Sequence, residues 1–400
     1  MASTAKAQFQ DSDVRRARDE TPGCAELAHF NNAGAALPPA IVTETVIAHL
    51  RAESLGGGYE AAAAAKDRLD AVYSSVATLL NAQADDIAIT DSATRSWQAI
   101  FYAIPFGPGD KILTCRSEYA SNVIAYLQVA ARTGAVVEVV DDDESGQLDV
   151  ADLKRRIDDR VKLIAVTHVP TQGGLVNPAE EIGAVAEAAG IPFLLDACQS
   201  AGQLDLDVRR IRCDALSGTG RKYLRGPRGT GFLYVHPKLR ARLEPAMLDL
   251  HSAVWTSPNT YRVDETAKRF ESWERSGADM LGLGAAVDYA LLWGLPAIEE
   301  RIGVLATHLR DELRGLDGVT VHDQGARQCG IVTFSVGGRA TADVQRRLAE
   351  AKINVSLVFK ESAQYDFTGR GLPDLIRASV HYYNTEAEIA HLREQLEKWV

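Results

Sequence analysis

Two short blocks of this chain bring together residue types that share a chemical purpose. The first, Ile191-Pro-Phe-Leu-Leu-Asp196-Ala-Cys198-Gln199, sets an acid directly behind an aliphatic run. The second, Ser217-Gly-Thr219-Gly-Arg221-Lys222-Tyr223, runs on into the glycine-rich stretch Gly226-Pro-Arg-Gly-Thr-Gly231. Alone, Asp196 reads as a helix cap and Lys222 as a surface charge. Together they meet a specific set of needs. A lysine amine can form an imine with an aldehyde. A carboxylate can keep a pyridine nitrogen protonated, so that the ring accepts electrons from a substrate carbon. Hydroxyls, backbone N–H groups and a cation can hold a phosphate. These are the requirements of pyridoxal 5′-phosphate, and Thr219 and Arg221, just ahead of the lysine, suit the phosphate.

Two further segments fit the same chemistry. Asp91-Ser-Ala93-Thr94-Arg-Ser-Trp97 follows a strand-like run and opens a helix, presenting free N–H groups and the Thr94 hydroxyl to an anion. Ser117-Glu118-Tyr119 follows the next strand-like run and offers an aromatic on which a flat ring can stack. Taken singly, the first is a plain N-cap and the second is ordinary packing.

These residues need a frame. Strand-like runs at 86–90, 111–115, 136–140, 163–167, 192–195, 215–217 and 231–235 alternate with helical patterns at 96–104, 120–133 and 178–189. Near-continuous apolar strands separated by helices imply an α/β domain, a mostly parallel seven-stranded sheet covered on both faces. In such sheets ligands bind at the carboxyl ends of the strands, which is where the blocks above fall. The pattern then changes. Helices at 278–294 and 297–316 precede strands at 330–336, 354–358 and 376–380, a helix at 341–351 and a last helix at 386–399. The expected organisation is an N-terminal segment, 1–28, packing on the small domain; a large cofactor-binding domain, 29–276; and a smaller α+β C-terminal domain, 277–400. The alanine-rich stretch 60–66 reads as helix.

Composition narrows the class. The 400 residues are 46% hydrophobic, enough for a large core, and 43 basic against 54 acidic residues give a net charge of −11. That sign argues against nucleic acid or an anionic membrane surface as a partner. No apolar run approaches the ~20 residues of a spanning helix, and the first twenty residues lack the apolar core of a secretion signal. A cytoplasmic protein is expected. The five cysteines are scattered and form no CxxC or Cys/His cluster, so neither a disulfide framework nor a metal site is expected.

The ordered set Phe30-Asn-Asn-Ala-Gly34, Ser92-Ala-Thr94, Glu118-Tyr119, Thr167-His-Val-Pro-Thr171, Asp196-Ala-Cys-Gln199, Thr219-Gly-Arg-Lys222 and Arg377-Ala-Ser-Val-His-Tyr-Tyr-Asn-Thr385 resembles the class V aminotransferase family. That family, of fold type I, includes cysteine desulfurases, C–S lyases and isopenicillin N epimerase-like enzymes, and the resemblance runs from about residue 28 to the C-terminus. It implies that Lys222 carries the cofactor as a Schiff base and that Asp196 pairs with the ring nitrogen. Gln199 reaches the phenolate oxygen, with Thr171 nearby. Tyr119 stacks on the ring, where desulfurases have a histidine. Ala93, Thr94, Thr219 and Arg221 hold the phosphate, and Arg377 grips the substrate α-carboxylate. Asn32 and Tyr59 are further substrate-side candidates, with His251 and Trp255 in segments that often reach the cofactor. The resemblance also implies a homodimer with a shared site. The segment 269–274 occupies the place where desulfurases present a threonine to the partner's phosphate; Ser272 and Ser276 are nearby, but there is no matching threonine.

Desulfurases need a thiolate on a loop just before the carboxylate-binding arginine. Here that loop, 358–373, contains no cysteine, and Cys329 further upstream reads as core. Persulfide chemistry is therefore not expected. The preferred expectation is a C–S lyase that eliminates a thiol from an S-substituted cysteine, giving pyruvate and ammonia. The alternatives are epimerisation, transamination, or decarboxylation with oxidative deamination of an amino acid, and, from another class, a non-catalytic scaffold that keeps the fold.

Overall fold

A computed structural model describes residues 8–399. Its centre is a seven-stranded sheet in the order Ile87–Thr90, Gly231–Val235, Ala215–Thr219, Phe193–Asp196, Val161–Thr167, Lys111–Thr114, Val136–Val139. Gly231–Val235 is antiparallel to both of its neighbours, and every other pairing is parallel. All seven expected strands are present, with ends displaced by at most two residues. Phe193–Asp196, Ala215–Thr219 and Gly231–Val235 are buried along their whole length, which explains their unbroken apolar character.

Register does the positioning. Thr167 pairs with Asp196, and Asp196 with Ser217, so two neighbouring strands end level and the third runs on two residues to Thr219. The loops leaving them carry Thr171, Gln199 and Lys222. On one face, helix Ala93–Phe101 buries Trp97 and Phe101 against Tyr126 of helix Ala120–Thr133. A Cβ at Gly231 would stand 2.3 Å from the Ser92 carbonyl carbon, so a glycine there lets the strand pass close beneath the start of helix Ala93–Phe101.

The C-terminal layer is a four-stranded antiparallel sheet, Val319–Val321, Ile331–Val336, Leu375–Ser379 and Ser356–Val358. The strand expected at 354–358 is broken at Val355 into Ile353–Asn354 and Ser356–Val358. The first piece pairs with Ala28–His29 rather than with the small sheet. Arg18 donates to the Tyr383 carbonyl and to Glu388, and Phe9 stacks on Trp293, so residues near the N-terminus lie against this C-terminal part. Helix Gly277–Trp293 packs on Ala40–Gly56 and Lys66–Leu80, and Leu295–Arg314 on the small sheet. The two helices meet at a 79° bend.

Three features differ from expectation. The alanine-rich stretch breaks at Ala65 into Gly58–Ala64 and Lys66–Leu80. Ala40–Gly56 is a full helix whose apolar residues are half exposed, which blurs its periodicity. An exposed hairpin, Ala253–Ser257 with Thr260–Val263, follows the large sheet. No single helix among the described residues is long and apolar enough to cross a membrane, and no group of three or more metal-binding side chains occurs among them.

Candidate active site

Lys222 stands in the turn after Ala215–Thr219 with only 6% of its surface exposed. Its segment is clamped from the far side. His381 Nε2 lies 3.0 Å from the Tyr223 carbonyl. Arg225, buried and in the left-handed region, donates to the Tyr382 hydroxyl and the Leu37 carbonyl and lies over the Tyr383 ring. The block Arg377 to Thr385 therefore has two tasks: its arginine faces the site, and its His-Tyr-Tyr holds the lysine turn. Burial pulls the Lys222 amine below its usual range. The charges of Arg221 and Arg377 act in the same direction, and Cys198 and Asp196 oppose it.

Asp196 ends its strand fully enclosed. One carboxylate oxygen accepts from the Cys198 N–H at 2.9 Å and the other from Asn122 Nδ2 at 3.0 Å. Burial raises its pKa, while these two donors and Lys222 lower it. Gln199 donates from Nε2 to the Ala33 carbonyl and the Thr171 hydroxyl, both at 3.0 Å, and its buried Oε1 has no partner. Arg377, also 6% exposed, donates from one terminal nitrogen to the Thr171 carbonyl at 3.0 Å and hydroxyl at 2.6 Å. The other reaches Asn31 Oδ1 at 3.2 Å. Its Nε is buried and unpaired. Burial pushes its pKa down to about 10, so it remains a cation at neutral pH. Thr171 thus links the Gln199 and Arg377 groups, a connection that sequence distance hides.

Ala93 and Thr94 form the first turn of helix Ala93–Phe101, where the Ser92 side chain caps the Arg95 N–H. The N–H groups of Ala93 and Thr94 are left for another acceptor. Thr219 donates to the Thr230 carbonyl at 3.2 Å, and Arg221 to the Gly34 carbonyl. Tyr119 is the residue before helix Ala120–Thr133 and is half buried.

Two substrate candidates fall elsewhere. Asn32 is fully buried, and its amide is consumed by the His29 and Ser379 carbonyls, Asn384 and the Tyr383 hydroxyl. The residue that reaches Arg377 is its neighbour Asn31, which bridges to Ser379 just before the turn that begins at Asn32. Tyr59 is 81% exposed on Gly58–Ala64 and is not brought to this site within the chain. His251 pairs with Glu271 at 2.6 Å, Ser276 caps helix Gly277–Trp293, and Trp255 is 71% exposed on the hairpin.

Reading the blocks left out two side chains the structure brings in. Asn122 touches Asp196, and Cys198 lies close enough to Lys222 for each to shift the other's proton affinity. Asn122 sits four positions after Glu118 at the start of a helix. That i, i+4 spacing was the available signal.

The donor set fits pyridoxal phosphate: a depressed lysine amine, an acid at the end of the next strand, an unpaired carboxamide oxygen, and a helix start with free N–H groups. The comparisons agree. Residues 28–392 match the family described as aminotransferase class V. This chain belongs to that family. It is 31% identical to a probable cysteine desulfurase of Methanothermobacter thermautotrophicus, over 86% of each chain. It is 30% identical to a cysteine desulfurase of Serratia proteamaculans, covering 96% of this chain and 98% of that one. Among solved structures, an apo cysteine desulfurase from Thermococcus onnurineus superposes with a TM-score of 0.90 at 26% identity, over 99% of both chains. A cystine C–S lyase in complex with cysteine persulfide superposes at 0.85 and 25% identity, over 94% of this chain and 99% of that one. The class V protein is a pyridoxal-phosphate enzyme of fold type I.

Proposed function

We propose that this class V enzyme is a C–S lyase that takes an S-substituted cysteine and releases a thiol, pyruvate and ammonia. The observation that carries the reading is a buried guanidinium without an acid. Among the described residues no carboxylate lies within ion-pair distance of Arg377, whose partners are Thr171 and Asn31. A buried cation kept without a counter-ion is matched to an anion that arrives, and the α-carboxylate of an amino acid has the bidentate shape.

When bound, the cofactor supplies an electron sink next to the substrate Cα. In this reading Lys222 carries it, Asp196 faces its ring nitrogen, Tyr119 lies against its ring, and Gln199 turns its free carboxamide to the phenolate side. Ala93, Thr94, Thr219 and Arg221 surround the phosphate. Lys222, once freed by the incoming amine, is the general base that takes the Cα proton, and burial has already lowered its proton affinity.

Elimination is favoured over persulfide transfer because no thiolate is at hand. Residues 360–370 form a 3-10 turn, Lys360–Ser362, and a short helix, Gln364–Arg370, with no cysteine. Cys329 is buried, and burial pushes its thiol up to about 12. The thiol of Cys198, beside Lys222, is also raised by burial.

A homodimer completes this reading. Leu55, Tyr59, Met247, Leu250, Trp255 and Trp273 are all more than half exposed, large apolar side chains that a partner subunit could cover. The test is an absorbance scan of the purified protein, repeated with S-alkyl cysteines and scored for pyruvate. A yellow protein that releases thiol and pyruvate is expected. A spectral shift without pyruvate would move the reaction to epimerisation, transamination or decarboxylation, and a colourless protein that binds no cofactor would leave a scaffold.

A further inference from the structure

Behind Asp196 lies a second enclosed carboxylate. Glu118 is buried, and five N–H and O–H donors converge on it, with the Cys115 thiol a weaker sixth at 4.0 Å. The Tyr119 N–H at 2.7 Å, Asn122 Nδ2 at 3.0 Å and the Thr167 hydroxyl reach Oε1, and the Thr114 hydroxyl at 2.9 Å and the Tyr126 hydroxyl at 3.2 Å reach Oε2. Asn122 Nδ2 is shared: it donates to Glu118 Oε1 and, also at 3.0 Å, to Asp196 Oδ2. An amide nitrogen can only donate, so the oxygen it meets on each side presents a lone pair. The two acids are thus tied back to back by one NH₂ group, with Asp196 toward the site and Glu118 toward the helix.

We propose that Glu118 is a positioning residue: held as an anion by its five donors, it acts through Asn122 to fix Asp196 and to keep the cofactor's ring nitrogen protonated. The inference rests on the reading that Asp196 faces that nitrogen. Two buried carboxylates without a cation between them are costly unless a positive charge settles beside them. Among the described residues the cation that acts on Asp196 is Lys222, and once it carries the cofactor its charge would be shared with the phenolate side, away from the two acids. A protonated ring nitrogen is the positive charge that restores balance, so the pair favours the electron-accepting form of the ring.

The groups facing Glu118 stay protonated and able to donate to it. Burial raises the Tyr126 hydroxyl and the Cys115 thiol, and the Glu118 charge raises both further. Tyr365, on the helix before Arg377, is raised by burial and by the same charge. Burial and the Asp196 charge work against ionisation of Glu118 itself, and the hydrogen bonds from Thr167, Asn122 and the Tyr119 N–H work for it. The net direction is upward from the usual carboxylate range, and the hydrogen bonds that favour the anion limit that rise.

The experiment uses the loaded enzyme with cofactor labelled with ¹⁵N in the ring, read by the nitrogen chemical shift from pH 6 to pH 9. The wild type is expected to stay protonated throughout. Glu118→Gln is expected to lose ring-nitrogen proton affinity by about tenfold or more. Tyr126→Phe, which removes one hydrogen bond and leaves the charge, is expected to match the wild type. A Glu118→Gln nitrogen that stays as protonated as wild type overturns the proposal. So does a Tyr126→Phe shift equal to that of Glu118→Gln, which would mark a packing effect. A wild-type ring nitrogen that is already unprotonated at pH 7 would instead overturn the placement of Asp196. If Glu118→Gln does not fold, carboxyl infrared spectroscopy of the wild-type protein without cofactor decides: an ionised Glu118 at pH 7 supports the proposal and a protonated one refutes it.

Discussion

Arg377 is the sharpest place to perturb the proposed chemistry. Its strand, Leu375–Ser379, is the interior of the small sheet, and Arg377 pairs across it with Thr333 and Ser356. The guanidinium is oriented before any substrate arrives: one terminal nitrogen is fixed on Thr171, the other on Asn31, and Nε is left over. Hydrogen bonds to a charged group contribute roughly 1.5–3 kcal/mol each. Loss of a two-pronged grip on the carboxylate should therefore weaken binding by about 3 kcal/mol, or about a hundredfold at 1.4 kcal/mol per factor of ten. Arg377→Gln is expected to raise KM for an S-alkyl cysteine by that factor. Arg377→Lys keeps the charge and loses the fork, so about a tenfold rise is expected. Pyruvate release gives kcat and KM, and the visible spectrum reports cofactor occupancy in the same samples. An unchanged KM in both variants, with cofactor bound, would refute the argument and move the carboxylate site elsewhere. Loss of cofactor from both would show that Arg377 holds the fold of the site rather than the substrate. The burial that brings its pKa to about 10 adds a pH signature: above that value the cation is lost, so KM should climb.

Lys222→Ala should bind cofactor without the visible absorbance of the lysine-bound form and release no pyruvate; a retained band would place the attachment elsewhere. His168 is buried with Nδ1 unpaired, and burial, with a smaller contribution from Arg327, lowers its pKa to about 3. The unfolded chain takes up this proton near pH 6.5 and the folded one does not, so stability should fall below pH 6.5 by up to about 1.4 kcal/mol per pH unit. Denaturant unfolding at pH 7 and pH 5 should show this, with a smaller drop in His168→Gln; equal drops would show that other groups set the slope. Light scattering should give twice the chain mass for the wild type and a smaller mass for Leu250→Asp with Trp255→Asp. A wild-type monomer would remove the shared-site reading.

The blocks around Lys222 and Asp196 were legible because each stands at or just beyond the end of a conspicuous apolar strand, and Arg377 because it is a lone cation inside one, Leu375–Ser379. What escaped was contact across sequence distance. Thr171 was placed by its motif, but nothing in the order of residues says that it joins Gln199 to Arg377. Asn31 and Asn32 are indistinguishable as letters. Only the pairing of Ala28–His29 with Ile353–Asn354, and the bridge from Asn31 to Ser379, decide which of them faces the arginine. The reversed strand Gly231–Val235 was equally hidden, since a fully buried strand reads the same in either direction.

The segment before Arg377 shows how an absence in sequence becomes a physical argument once the fold is known. A nucleophile there would need an exposed, mobile thiol. This chain instead makes Gln364–Arg370 a helix, buries Phe367 beneath it, and encloses Asp366 beside Arg370 and Arg116. Burial raises the Asp366 carboxyl and the two arginines lower it, Arg370 through an ion pair and Arg116 through its charge alone. On the proposed reading, a thiolate eliminated from Cβ would meet no cysteine in this segment and would leave as free product.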